Sequence, residues 1–163
     1  MWRMLSILGG VTGAVVLSQF PEFSQQYLQR LAGKVDALTA VTTAFDASAA
    51  RSGLTREAAL TQLTGTQFSE DHQQDLRRTF AEVDVLRSNL ATLRAASPLV
   101  RLTMPQRLAD PETLQATWAD FKPAIPTTAD GAMTAGFGYV GGWSLVGGLC
   151  ALLSRPFRRR RLS

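Results

Sequence analysis

The sequence predicts an all-α fold: two transmembrane helices flanking an antiparallel helical hairpin with one or two short extra helices. Three observations predict it. Met4 to Phe20 and Gly131 to Ser154 carry no charged residue. Between them, Pro21 to Thr127 holds 11 Lys+Arg and 12 Asp+Glu, and its apolar residues recur at gaps of three and four. No stretch alternates with the period of two that a strand requires, so no sheet is expected. The 163 residues allow one domain and little else. The sequence pI near 10.0 comes from Arg3 at one end and Arg155 with Arg158 to Arg161 at the other. It does not signal a nucleic-acid face on the middle segment.

The first apolar segment, "MLSILGGVTGAVVLSQF" (4–20), is 17 residues, or about 26 Å as a helix. That is short for a span, but bilayer thinning absorbs mismatch. Trp2 lies at one edge and Phe20, Phe23 and Tyr27 at the other, where aromatic rings favour the headgroup level. A cleavable signal peptide is the alternative. It calls for small residues at −3 and −1. "VLS" at Val16 to Ser18 is a poor match, and Pro21 follows closely. The expectation is an uncut anchor.

The middle segment, 21–127, opens at Pro21, which kinks a continuous helix or starts a new one. Leu28, Leu31, Val35, Leu38, Thr42 and Phe45 then mark the seam of a paired helix. The pattern fades at Ala47 to Ala50, and "RSG" (51–53) ends it. "LTREAALTQLTG" reads as a short helix with Thr55 as its cap, Glu57 in its first turn and Gly65 as its stop. Ser69 is the expected cap of a longer helix, with Glu70 and Asp71 at its positive end. Along that helix Leu76, Phe80, Val83, Leu86, Leu90 and Leu93 share one face, and Ser97-Pro98 stops it. The two long helices predict an antiparallel hairpin that covers both apolar stripes. Pro105 breaks the chain again. Asp110-Pro111 is a helix start, and Leu114, Trp118 and Phe121 at i, i+4, i+7 are expected to close the open side of the hairpin. "KPAIPTTAD" is a stiff lead into the second span.

The second span, 131–154, has 24 uncharged residues, enough for a bilayer core of about 30 Å. Asp130 precedes it and the basic tail, 155–163, follows. Arginines flanking a span are held on the cytoplasmic side. The expected topology therefore has both termini cytoplasmic and 21–127 periplasmic. Arg155, Arg158, Arg159, Arg160 and Arg161 are expected at anionic lipid headgroups. Glycine marks both spans. Gly9 and Gly13 form one G-x-x-x-G, and Gly131, Ala135, Gly138 and Gly142 recur at i, i+4, i+7, i+11. Such small residues let helix backbones approach closely in lipid. They are the expected helix-packing face, toward the other span or toward a partner.

No motif for chemistry is present. His72 is the one histidine, and Asp71 and Asp75 beside it are ordinary choices near a helix N-terminus. Cys150, the one cysteine, excludes an internal disulfide and reads as a small apolar filler. The pairs Asp75/Arg78 and Asp84/Arg87 are surface pairs worth a few tenths of a kcal/mol. There is no Walker loop, no H-E-x-x-H, no G-x-S-x-G and no nucleotide fingerprint. Neither span holds a charge, which argues against an ion path. No catalytic residue, metal ligand, cofactor or nucleic-acid partner is expected, and no enzyme.

"LGGVTGAVVLSQFPEFSQQYLQRLAGKVDAL" followed by "FDASAARSGLTREAALTQLTG" resembles the DUF2937 family of bacterial proteins of unknown function. The most specific part is "LSQFPEFSQQYLQRL", and "GFGYVGGW" before a basic tail is similar in character. The resemblance implies a small bacterial membrane protein and brings no activity or site residues. It favours the uncut anchor, because the shared stretch straddles the candidate cleavage point. The expected role is a non-enzymatic inner-membrane scaffold or accessory subunit. It would contact partner proteins through its periplasmic hairpin and its Gly-rich membrane faces. The alternative is a regulator of envelope or polysaccharide assembly acting as a homo-oligomer, on likeness of layout alone.

Overall fold

The structure, a computed structural model, describes residues 2–125 and 128–159, with side chains as far as Leu153. Every regular element among the described residues is helical: α1 (Trp2–Ser18), α2 (Phe20–Arg51), α3 (Arg56–Thr61), α4 (Gln67–Ala95), α5 (Pro98–Arg101), a 3₁₀ turn (Pro105–Arg107), α6 (Pro111–Ala119) and α7 (Ala129–Arg159). The chain divides into two compact units. One comprises 1–25, 98–103 and 121–163, and the other 26–97 and 104–120.

In the first unit α1 and α7 lie side by side. Ser6 faces Gly147, Gly9 faces Gly142 and Gly13 faces Gly138, so the helices run antiparallel. The helical run Trp2–Arg51, which begins with α1, and Ala129–Leu153 of α7 are each long and apolar enough to cross a membrane by length and composition. Only 17% and 11% of the residues in their most apolar windows are buried. A soluble core helix would bury most of such a window. Instead Met4, Leu8, Val15 and Val16 on α1 and Phe137, Val140, Leu145 and Leu153 on α7 are exposed. Between α1 and α2 only Gln19 departs from the helix, and the bonds from Gln19 N–H to Val16 O at 3.3 Å and from Phe23 N–H to Gln19 O at 2.9 Å carry the helical run across it. Pro21 has no N–H to donate to Leu17 O, and the break falls in that turn. Residues 121–125 form no regular element. Ala124 N–H donates to Gln19 Oε1 at 3.0 Å, and the Phe121 ring meets Phe23 edge-on at 5.6 Å. The helical backbone of α7 continues beyond Ser154 to Arg159. The basic tail therefore begins inside the helix.

The second unit is built on the apolar stripes of α2 and α4. Leu28, Leu31, Val35 and Thr42 are buried on α2, with Leu38 and Phe45 half-buried. Phe80, Val83, Leu86, Leu90 and Leu93 are buried on α4, and Leu76 half-buried. The Phe45 and Phe80 rings lie 5.3 Å apart, and Arg87 Nη2 donates to Thr39 Oγ1 at 3.0 Å. Thr42 is the one polar residue of the seam. Its hydroxyl donates to Leu38 O at 3.0 Å, so its burial leaves no group unbonded.

Two glycines end what precedes them with positive φ, Gly53 at 71° after α2 and Gly65 at 94° after α3. Backbone there is costly for any residue with a Cβ. Thr55 caps α3, its hydroxyl accepting from Ala58 N–H at 3.2 Å. The cap of α4 is Thr66, not Ser69 as the sequence suggests. Thr66 Oγ1 accepts from Ser69 N–H at 3.1 Å. Ser69 sits where the capped N–H lies, three residues on, because the helix starts directly after the Gly65 turn.

Three further expectations are corrected. Tyr27 is fully buried in this unit, its hydroxyl accepting from Asp110 N–H at 3.2 Å. It is therefore not a headgroup ring. On α6, Leu114 and Trp118 do not close the core: they are 38% and 74% exposed, while Thr113 and Thr117 are buried. Asp110 decides this. It caps α6 through Thr113 N–H at 3.0 Å and is itself held by Tyr27 and Lys34, which fixes the rotation of the helix. Thr117 Oγ1 donates to Thr113 O at 2.7 Å, so the buried face is polar in composition but satisfied. Phe121 lies beyond the end of α6, on Phe23.

Candidate functional site

Two places gather residues in a way that composition alone would not. The first is the α1–α7 contact. A Cβ added at Gly13 would run into Gly138 O, one at Gly138 into Gly13 O, and one at Gly142 into Gly9 O. At Gly9 it would meet Gly142 O at 2.9 Å and the Val146 side chain. Backbone lies on backbone, so no larger residue fits without the helices parting. Gly10, which the sequence reading passed over, lies against the Tyr139 ring, where a Cβ would approach Cε2 to 2.8 Å. The spacing Gly9-Gly10-Gly13 with an aromatic opposite is the signal that could have found it. Gly131 is buried at the N-terminus of α7, its N–H donating to Thr128 Oγ1 at 3.1 Å. Ala135 is half-buried one turn on. Of the arginines expected at lipid headgroups, Arg155, Arg158 and Arg159 lie on the last turns of α7. Arg160 and Arg161 fall outside the described residues.

Arg101, on the short α5 of the same unit, is buried at 6% exposure. Its Nη1 donates to the buried Ser24 Oγ at 3.3 Å. Burial pushes its pKa down, and the charge of Asp130 opposes that. A guanidinium remains charged in any protein, so Asp130 supplies a counter-charge at the start of α7.

The second place is Lys34 on α2. Its Nζ lies 2.8 Å from Glu82 on α4, 3.2 Å from the cap Asp110 and 3.0 Å from Glu112 on α6. Only 19% of the Lys34 side chain and 10% of the Asp110 side chain are exposed. Burial lowers the Lys34 pKa, but hydrogen bonds to Glu82, Glu112 and Asp110 outweigh it and raise the group above its ordinary value. For Asp110, burial raises the pKa. The hydrogen bonds from Thr113 and Lys34 outweigh that and hold the carboxyl below the usual range. Burial also pushes up the Tyr27 phenol. A lysine held protonated is a poor nucleophile and a poor base. The cluster's chemistry is thus that of a pin joining α2, α4 and α6. The sequence carried a trace of it: Lys34 and Glu82 each adjoin a seam residue, Val35 and Val83, with opposite charge. A cleft of about 420 Å³ lined by Glu82, Val85, Leu86, Asn89, Gln106 and Asp110 opens beside it.

The residues weighed for chemistry are not brought together. His72 is exposed and stacks on Phe68, ring centroids 6.2 Å apart. Cys150 is buried beside a small cavity of about 250 Å³ with Trp2, Ser6 and Trp143. Among the described residues no three His, Cys, Asp or Glu side chains are placed to hold a metal ion.

A family described as "Protein of unknown function (DUF2937)" matches residues 1–159. No curated protein and no solved structure matches the chain.

Proposed function

The chain belongs to the DUF2937 family, and from that premise we propose that it is a non-enzymatic membrane scaffold or accessory subunit. In this reading α1 and α7 cross the bacterial inner membrane, both termini are cytoplasmic, and the segment between them is a periplasmic helical hairpin that contacts partner proteins. The observation that carries the reading is the α1–α7 pair. Two helices of span length meet glycine to backbone and turn apolar side chains outward on their remaining faces. In water such a surface would drive aggregation. In lipid it is the expected one, and helices there hold together by close packing.

The glycines at the crossing are occupied within the chain, so a partner helix would use another face of α7. Gly141 and Gly148 have open space where a Cβ would stand, and Ser144 between them is exposed. This second small-residue face supports contact with another subunit, and it also favours the alternative, a homo-oligomeric regulator of envelope or polysaccharide assembly. A pull-down of the full-length protein from native membranes in mild detergent separates the two. A stoichiometric partner of different sequence supports the scaffold, and a large assembly of this chain alone supports the regulator. A monomer retaining neither would remove both.

A further inference from the structure

We propose that the crevice between the start of α1 and the end of α7 seats one anionic phospholipid, with an acyl chain between Trp2 and Trp143 and the phosphate on Arg3. The inference rests on reading α1 and α7 as membrane spans. The crevice, about 250 Å³, lies wholly within the first unit. Its floor is Gly147 against Ser6, whose hydroxyl already donates to Trp2 O at 3.2 Å. Its walls are the two indoles with Cys150 and Ala151. Trp143 stands near the middle of the uncharged stretch 131–154, not at the edge where tryptophan is usual. There it forms the deep wall of the crevice, about 12 Å along α7 from Ala151.

Size and charge identify the occupant. Sites that enclose a whole small molecule measure about 300–1,000 Å³. The smaller crevice takes part of a molecule whose remainder stays outside, and between two spans that remainder is in the bilayer. Arg3 is the one charged group in the lining. It stands in the first turn of α1, exposed, and pairs with no carboxylate among the described residues. A free guanidinium holds a phosphate through two parallel N–H bonds. Past Ala151 the backbone of α7 continues to Arg155, Arg158 and Arg159, so positive charge collects at this end of the pair. That field favours a lipid of net negative charge over a zwitterionic one, whose phosphate brings its own cation.

The test is competition between lipids in vesicles, read by tryptophan fluorescence of the full-length protein. Trp2→Phe with Trp118→Phe leaves Trp143 on the crevice wall. In a control, all three tryptophans become Phe and Leu145→Trp places the reporter on an open face of α7, where Leu145 is 65% exposed. Brominated phosphatidylglycerol is titrated into phosphatidylcholine, and brominated phosphatidylcholine into phosphatidylglycerol. At Trp143 the expected quenching favours phosphatidylglycerol about fivefold over its share of the bilayer, the weight of one basic residue at an anionic lipid. Arg3→Gln should bring that ratio to the control's, and Arg3→Lys should keep most of it. Equal ratios at Trp143 and at Leu145→Trp mean surrounding lipid only, and overturn the seat while leaving the spans standing. A preference that survives Arg3→Gln overturns it as well. Quenching at Leu145→Trp with none at Trp143 would assign the crevice to a protein segment, against the proposal. No quenching at either position would remove the spans and the seat together.

Discussion

Lys34 shows how one side chain sets the pH range of a fold. Asp110 has a folded pKa below its unfolded value of about 3.9, so its contribution is present above that pH and is lost as pH falls through the folded value. Lys34 has a raised pKa, so its contribution is complete below about 10.4 and is lost as pH rises through the folded value. Thermal melts of the detergent-solubilised protein should therefore plateau from about pH 5 to about pH 10. Lys34→Met leaves the nearly buried Asp110 carboxylate without its ammonium. At neutral pH that should cost about 1–3 kcal/mol, and the gap from the parent should narrow near pH 4 as the carboxyl protonates. A gap independent of pH would mean the pair does not act as described. At α6, Thr117→Glu places a charge at a fully buried site and should cost several kcal/mol. Trp118→Ser, at an exposed one, should stay within about 0.5 kcal/mol in detergent. Chemical denaturation of the two variants measures both.

Helices obey their stripes unevenly. Leu31 is fully buried whereas Leu38, on the same predicted seam, is only half-buried. Leu31→Asp should therefore lower protease resistance far more than Leu38→Asp, and Asp36→Asn should change it little. Between α1 and α7 the glycines divide into two groups. A Cβ at Gly138 meets the Gly13 carbonyl, whereas one at Gly141 meets nothing within 4 Å. A Cβ at Gly147 would lie 3.9 Å from Ser6 Cβ, close to the spacing of a disulfide. In a Cys150→Ala background, Ser6→Cys with Gly147→Cys should crosslink within the chain under mild oxidant. Adding Gly138→Leu should abolish the crosslink and adding Gly141→Leu should not, read as a mobility shift on non-reducing gels. Equal crosslinking in both would show that the close approach is not needed.

At the scale of the molecule the arrangement of charge predicts the topology. Arginine flanks the uncharged stretches 4–20 and 131–154 on the side of the chain ends, and the segment 21–127 between them is nearly neutral. Alkaline phosphatase fused after Ser97 should be active and the same enzyme fused after Ser163 inactive. The reverse pattern would place the middle segment in the cytoplasm and move the partner surface with it.

The sequence by itself determined most of the helices and several of their ends, though not the cap of α4 at Thr66, the short α5 or the run of α7 past Ser154. Gly53, Gly65, Thr55, Asp110 and Pro111 act through bonds and dihedrals a few residues long, so their effects are readable from neighbours. It also determined the two apolar helices and the small residues along them, because a run without charge needs no partner to be recognised. Rotation about each helix axis was decided only by tertiary structure. The three-four repeat named Leu114 and Trp118 as the inner face of α6, yet Lys34 and Tyr27, distant in sequence, hold Asp110 and turn Thr113 and Thr117 inward. Tyr27 moved from expected headgroup ring to core for the same reason. Which glycines meet, and that Gly10 lies on Tyr139, likewise depended on the register of α1 against α7. A periodic pattern fixes which residues share a face; contacts between distant segments choose what that face meets.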